Sequence, residues 1–329
     1  MNINISRQLS DINIIKNNIA ENIINSNSEV REYETYNEKL NQKYLEKQLL
    51  FCQNQIFFKN TLLEKKIKLV NLIFGNQNFG MFVYKKNDIV STEISRSGNW
   101  EFNETNFILS SLIYYAQKKN ISKTDIYVVD IGANIGWFSI VLGKIGYNIL
   151  SFEPSKSNYY ILLKNFCLNK EINLTIINKG LYNLVKNRYL YHPNDNVGNA
   201  IIFSDFNNLD FKQFEKEYIK LTKLKYYIPY LKTKNLALIK LDIEGSEGKA
   251  IEGGVDLIIK YHIPFIFMEW SPQLLRQKGT EPRLLLEIFE NNGYKLSQKG
   301  FLNKQYCLID ELLNVTQTNI YVIYSKFIE

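Results

Sequence analysis

The run Val128-Val129-Asp130-Ile131-Gly132-Ala133-Asn134-Ile135-Gly136 reads as an apolar strand entering a loop that carries one acid and two glycines. In open α/β sheets ligands bind beyond the carboxyl ends of the strands, so a loop of this kind predicts a cofactor site. Its glycines are four apart and its acid lies two residues before the first. That differs from the dinucleotide pattern G-x-G-x-x-G and suits a cofactor with a cationic amino-acid end better than a pyrophosphate. Gly132, with Ala133 and Asn134 beside it, lets the backbone approach a ligand, and Gly136 lets helix and strand pack closely. A second apolar run closes at Phe152-Glu153-Pro154, at roughly the spacing where an acid of this fold class accepts ribose hydroxyls.

A second group of acids follows later. In Lys240-Leu241-Asp242-Ile243-Glu244 the alternation of a strand puts the three charged side chains on one side until the strand ends. Asp242 and Glu244 then emerge at the same cleft as Asp130 and Glu153. Asp242 is the first candidate to orient or deprotonate an acceptor, and Glu244 the second. Glu269 ends the next apolar run, Phe265 to Met268, and reaches the cleft rim as a third catalytic or substrate-binding acid. Two other readings stand beside these. Glu244 caps the following helix or pins the Gly245 turn, or Glu244 and Glu269 hold magnesium or calcium, whose preferred ligands are oxygens. With no His or Asn positioned beside them, the spacing demands no metal, and none is expected. Of the two histidines, His262 falls at the opposite edge of the sheet, where a structural role is expected. His192 sits in a turn-rich stretch, residues 191–199, that reads as a loop able to cover a cleft. A histidine base is chemically attractive there, but a lone loop histidine is usually solvated.

The elements that position these residues alternate. Short apolar runs at residues 127–131, 149–152, 174–178, 236–241, 265–269 and 320–324 are interleaved with helical spacing at 137–145, 157–169 and 282–291. Strands alternating with helices imply a mostly parallel sheet with helices on both faces. Ahead of it, residues 104–119 read as a helix and residues 82–90 as a short strand pair turning at 86–88. Earlier still, Leu45, Leu49, Cys52, Ile56, Leu63, Ile67 and Val70 recur at steps of three, four or seven, a helical stripe. The stripe predicts an N-terminal helical extension over residues 1–78, with its polar start (residues 3–27) poorly ordered. The main domain is then residues 79–329. The extension either packs on that domain or serves as an arm for self-association; the stripe lacks the clean heptads of a coiled coil.

A chain of 329 residues, 45% hydrophobic and 14% aromatic, has ample material for a packed interior, which excludes global disorder. The formal charge of +7 favours an anionic partner without naming one. Cys52, Cys167 and Cys307 are odd in number and far apart, so neither a disulfide framework nor a zinc site is expected, and a reducing compartment fits best. The start lacks the apolar core of a signal peptide, and no stretch reaches transmembrane length. The expectation is a cytoplasmic protein.

Several segments, in order, resemble the FkbM family of methyltransferases that depend on S-adenosylmethionine (SAM). Ser97-Gly98-Asn99-Trp100-Glu101 with Glu104 resembles the family's lead-in, and Asp130 to Ser139 its D-x-G-A-N-x-G-x-F-S signature. Phe152-Glu153-Pro154 resembles its acidic strand end, Asn178-Lys179-Gly180-Leu181 its segment near the adenine, and Lys240 to Gly245 its K-x-D-x-E-G motif. The resemblance implies a class I methyltransferase Rossmann-like fold, with a seven-stranded sheet whose last strand is antiparallel. It also implies a SAM site at Asp130, Gly132, Ala133, Asn134, Gly136, Glu153, Pro154, Gly180, Leu181 and Asp242. The implied reaction is O-methylation of a hydroxyl on a sugar, glycoconjugate or related metabolite. The N-terminal extension and the stretch 207–234 lie outside the resemblance.

Two other functions compete. Six lysines and four tyrosines within residues 218–240, with no acid among them, suit phosphate contact and base stacking, hence an RNA methyltransferase. A scaffold that keeps the fold but not the chemistry is the third reading, against which the intact Asp130, Gly132, Gly136, Glu153 and Asp242 argue.

Overall fold

A computed structural model describes residues 42–53, 62–193, 200, 202 and 214–329. Its strands in chain order are β1 (Ile67–Phe74), β2 (Gln77–Tyr84), β3 (Tyr127–Ile131), β4 (Asn148–Phe152), β5 (Leu174–Ile177), β6 (Gly180–Leu181), β7 (Asn187–Pro193), β8 (Phe214–Thr222), β9 (Leu236–Leu241), β10 (Phe265–Trp270), β11 (Tyr294–Ser297) and β12 (Thr318–Tyr324). Seven of them form one sheet in the order β11-β12-β10-β9-β3-β4-β5. β3, β4, β5, β9 and β10 run parallel, and β12 runs antiparallel to both β10 and β11. This is the class I methyltransferase sheet that the resemblance implies. Residues of β3 alternate between two cores, Val128 to one face, Val129 and Ile131 to the other, as the period of two in a strand requires.

The order reverses at β3. The chain steps outward through β4 and β5, then returns to lay β9 on the other side of β3. Crevices open at such reversals beyond the strand ends, and here the crevice is bounded by the loops after β3 and β9. The loop after β3 turns at Gly132, whose φ is +76°; a Cβ there would lie 2.0 Å from the Asp242 carbonyl oxygen. No side chain fits, so Gly132 is what allows the two strand ends to meet.

The N-terminal third differs from the sequence reading. The helical stripe holds over residues 42–53 and Leu62–Lys66, with Ile56 outside the described residues, but Ile67 and Val70 belong to β1. β1 pairs antiparallel with β2 through a turn at Gly75 and Asn76. The hairpin straddles position 78, where the extension was expected to end. Within β1 the buried residues are Ile67, Leu72 and Phe74, so sheet packing overrode a spacing that also fits a helix. The expected turn at 86–88 likewise starts a helix, Ile89–Ser97, because the Asp88 carboxylate accepts from the Ser91 amide at 2.7 Å as an N-cap. The expected disorder of residues 3–27 lies outside the described residues.

The hairpin is fastened to the domain by asparagines. Asn165, on the helix Lys156–Leu168, accepts from the Phe82 amide and donates to the carbonyls of Phe82 and Ile135, so one amide ties β2 to the loop after β3. The 42–53 helix packs on the edge strand β5. Gln48, buried, donates to the Leu174 carbonyl at 3.0 Å and accepts from the Ile176 amide at 2.9 Å, mimicking a neighbouring strand where the ladder would otherwise end. Beside it, Cys52 and Cys167 form a disulfide with Cα atoms 5.3 Å apart. This overturns the expectation of unpaired cysteines: the partners are 115 residues apart and meet only through the fold. Disulfides persist in oxidising surroundings, so cysteine usage no longer favours a reducing compartment. No helix among the described residues is long and apolar enough to cross a membrane.

Gln48→Ala leaves a buried carbonyl and amide of β5 without partners and is expected to lower the unfolding free energy by about 1–3 kcal/mol in denaturant titration. A change within about 0.5 kcal/mol would show that the 42–53 helix stands apart from the cooperative fold.

Candidate active site

Asp130 and Lys240 are directly opposite in the β3–β9 register, and both side chains are buried. The Lys240 ammonium lies 3.3 Å from Asp130 Oδ1 and 3.4 Å from Asp242 Oδ2, and donates to the Gly132 carbonyl at 3.2 Å. It also lies over the Phe138 ring at 5.1 Å. Burial alone would lower the Lys240 pKa, but the surrounding Asp130, Asp242 and Glu101 carboxylates outweigh it and hold it above its usual range. Asp130 Oδ2 accepts from Ser139 at 2.6 Å. The first acid of the loop is therefore answered from within the protein: Asp130 sits beneath the loop and, through Lys240, fixes Gly132.

The rest of the loop faces the crevice. Asn134 takes a left-handed φ of 51°, its Oδ1 buried with no hydrogen-bond partner among the described residues. Its amide donates to Glu153 Oε2 at 2.8 Å, while the Ser155 amide donates to Glu153 Oε1 at 2.8 Å. Glu153 is thus held in a fixed orientation at the end of β4, each oxygen keeping a lone pair for a further donor. Burial pushes its pKa up to about 7 against those two amides and the nearby His192. Pro154 lines the next turn, where a Cβ on Gly180 would lie 3.6 Å from Pro154 Cβ and 2.8 Å from Leu221. Leu181 is buried beside it in β6. A Cβ on Gly136 would lie 2.3 Å from Leu162 of the helix Lys156–Leu168, so the close approach Gly136 permits is to that helix, where packing against a strand was expected. Ala133 donates its amide to the Phe152 carbonyl at 3.1 Å.

At the ends of β9 and β10 the acids converge. Asp242, Glu244 and Glu269 each offer a carboxylate oxygen within 4.8 Å of the other two, which brings together the three candidate catalytic residues and gives a geometry in which oxygen ligands could hold a cation. The Asp242 side chain is 29% exposed, open enough to meet an acceptor. Glu244 is at φ 54°, and burial, then Glu269, push its pKa up to about 9. Pinning the Gly245 turn falls to Glu247, whose buried Oε1 accepts from the amides of Ile243 and Gly245. Burial, then Glu269, raise the Glu247 carboxyl to about 8. Sequence spacing gave no sign of this residue, because a helix-start acid is usually solvated. Glu269, raised to about 7 by burial and Asp242, accepts from Gln317 across β12, and its Oε2 is buried without a hydrogen-bond partner among the described residues.

Beside these acids a polar cleft of about 380 Å³ lies between the start of the helix Phe102–Lys119 and the ends of β10 and β12, lined by Glu101, Glu104, Glu269, Gln317 and Asn319 among others. A cleft of the same volume at the opposite ends of β3, β4 and β5 carries no carboxylate. Glu101 was legible in the sequence only as part of the lead-in, not as a site residue.

His192 departs from the loop reading: it lies within β7, buried, 2.8 Å from Glu217 of β8. Burial, which would raise the Glu217 pKa, is outweighed by the His192 hydrogen bond. His262 stacks on Tyr324 at 4.4 Å, far from the acids in the fold. The basic 218–240 stretch does not form one face. Tyr227 packs edge-on against Phe152 at 4.8 Å in the core, Lys240 is buried in its ion pairs, and Tyr218 is exposed on β8.

Residues 130–296, about half of the chain, match the model of the methyltransferase FkbM domain. No curated protein matches the chain. Among solved structures, the chain is similar to WbdD, a bifunctional kinase-methyltransferase, at 11% identity over 71% of this chain and 42% of that one, with a TM-score of 0.42. It is similar to magnesium protoporphyrin IX methyltransferase (ChlM) from Synechocystis PCC 6803 with bound SAM, at 12% identity over 72% and 84% and a TM-score of 0.36. It is also similar to M. jannaschii TYW2 in complex with AdoMet, at 14% identity over 77% and 84% and a TM-score of 0.33. The chain spans less than half the length of WbdD.

The acids dictate a pH response. Carboxyls whose ordinary value is 4.5 are pushed up to about 7 at Glu153 and Glu269, about 8 at Glu101 and Glu247 and about 9 at Glu244, with burial the first cause in each. Between about pH 5 and 8 the folded protein binds more protons than the unfolded chain, so stability falls as pH rises through that window. Burial lowers Lys278 to about 8, and its contribution has the opposite sign above that pH. The melting temperature is expected to be higher near about pH 5.5 than near about pH 8, with part of the slope removed in Glu247→Gln. A melting temperature that rises over this interval would mean these acids ionise freely.

Proposed function

The chain belongs to the methyltransferase FkbM family, and from that membership we propose that it transfers a methyl group from SAM to a hydroxyl of a sugar, glycoconjugate or related metabolite. The observation that carries the reading is the juxtaposition at one crevice of the Gly132–Asn134 loop, the oriented Glu153 and the triad Asp242, Glu244 and Glu269. The fit to SAM rests on this chain's own atoms. Glu153 is fixed by two amides with lone pairs to spare, and the buried Asn134 Oδ1 lacks a partner among the described residues. In this reading Glu153 takes the ribose hydroxyls. Gly132, Ala133, Asn134 and Gly136 cradle the cofactor, Pro154, Gly180 and Leu181 line the adenine side, and Asp130 acts through Lys240 to set the loop.

When bound, SAM supplies an electrophilic methyl on a sulfonium. What remains for the protein is to hold the acceptor oxygen in line, exclude water and receive the hydroxyl proton. Asp242 is the proton acceptor or orienting group because it is the partly open carboxylate where the β3 and β9 loops meet. Glu269, with its pKa near neutrality, is suited to pass that proton on toward solvent, and Glu244 completes the group. The buried Lys240 fixes the Asp242 carboxylate from below.

Two substitutions separate the roles. Asp242→Asn is expected to keep SAM affinity, measured by calorimetry, while lowering turnover by about 100-fold or more, the scale of a lost general base. Glu153→Ala is expected to weaken SAM binding by about 1–3 kcal/mol. Loss of SAM binding in Asp242→Asn with no separate effect on turnover would make Asp242 a cofactor ligand instead.

A further inference from the structure

Glu101 occupies a position that ordinary helix chemistry does not explain. It stands at the N-cap of the helix Phe102–Lys119 with φ 42° and ψ 56°, and its side chain makes no cap hydrogen bond. N-caps favour Ser, Thr, Asp or Asn in extended backbone, where the side chain bonds the helix amides. A residue with a Cβ in the left-handed region is strained, and such strain persists where the surrounding structure requires it. Here the carboxyl is turned away from the helix toward the cleft, and its Oε2 is buried with no hydrogen-bond partner among the described residues. Burial first, then the charges of Asp242, Glu104 and Glu269, push its pKa up to about 8 against the opposing pull of Lys240, so at neutral pH it can donate as well as accept.

The cleft has the same dual character. Gln298, Gln317, Asn319 and Thr318 offer donors and acceptors beside Glu101 and Glu269, and no Lys, Arg or His among the described residues lines it. Among the described residues the ammonium that acts on Glu101 and Glu269 is that of Lys240, already answered by Asp130 and Asp242, while that of Lys278 acts on Glu244 and Glu247. A phosphate or carboxylate would meet carboxyl oxygens there without a counter-charge, whereas a set of neutral hydroxyls would find a partner at each turn. The volume of about 380 Å³ is that of a small-ligand pocket. We infer that Glu101 is a specificity-determining residue of the acceptor site, hydrogen-bonding a hydroxyl beside the one that is methylated, and that the acceptor is an uncharged, polyhydroxylated molecule. This rests on the methyl-transfer reading above and adds the side of the crevice at which the acceptor enters and the charge it carries.

The test uses the full chain saturated with S-adenosylhomocysteine. Calorimetry first measures that complex, and saturation-transfer NMR then measures binding of methyl glycosides of mannose, rhamnose and glucuronic acid and of a short oligoribonucleotide. The expected result is binding of at least one neutral glycoside in preference to the uronate and the oligonucleotide. Glu101→Ala should weaken that glycoside at least tenfold and Glu101→Gln no more than about threefold, since the amide keeps a donor and an acceptor. Both variants should hold S-adenosylhomocysteine within twofold of wild type, which separates a lost acceptor contact from a lost fold. Failure of the wild type to bind S-adenosylhomocysteine overturns the methyl-transfer reading and this inference with it. A wild type that binds it but takes no neutral glycoside, prefers the uronate or the oligonucleotide, or is indifferent to Glu101→Ala overturns this inference alone.

Discussion

The buried line of charge Asp130–Lys240–Asp242 is the constraint on which the rest of the crevice depends. One ammonium serves two carboxylates from adjacent strands and also binds the carbonyl of the glycine between them. Such a cluster is costly to desolvate and tolerates little displacement, because without Lys240 the buried Asp130 carboxylate would lose its counter-charge. It therefore fixes the relative height of β3 and β9 where register alone would allow some slack. The contact between Gly132 and the Asp242 carbonyl then follows. The loop that would touch a cofactor and the carboxylate that would touch an acceptor are parts of one rigid junction.

Around that junction the protein concentrates acids and supplies few cations. Glu101, Glu244, Glu247 and Glu269 crowd one end of the sheet, and burial, then repulsion among the acids, favours the neutral form. A neutral carboxyl is a matched donor and acceptor, like a primary amide, so a surface rich in acidic side chains presents hydrogen-bonding groups more than net charge. The neighbouring Gln317 and Asn319 extend the same chemistry. The formal charge of the chain, +7, gives no hint of this local character, since the lysines lie mostly elsewhere.

The central sheet was legible because its signals are local: an apolar run, a glycine loop and a helical run occupy adjacent positions from Val128 to Ile145, and an acid at a strand end is visible as such. The resemblance supplied the antiparallel last strand. The hairpin was not legible, because Leu63, Ile67 and Val70 sit at spacings that satisfy a helix, and only pairing with β2 reveals that Leu72 and Phe74 share a buried face. The disulfide was hidden for a different reason: nothing local to Cys52 points to Cys167. Among the site residues, Asp242, Glu244 and Glu269 were found as strand-end acids and do converge. The buried pairing of Asp130 with Lys240 was not legible, because that partner comes from a strand 110 positions on. Glu101 and Glu247 escaped because an acid next to a helix start is commonplace, and only burial distinguishes these two.

The anchoring of the 42–53 helix implies an order of events in assembly. Gln48 binds backbone atoms 126 and 128 residues later, and Cys52 pairs 115 residues later. Closing loops of that size is entropically expensive and waits on structure that shortens the effective span. A chain emerging from its N-terminus at the ribosome exposes this helix long before β5 exists to receive it. The segment made early is secured late, and until then the edge of β5 stands open to other strands.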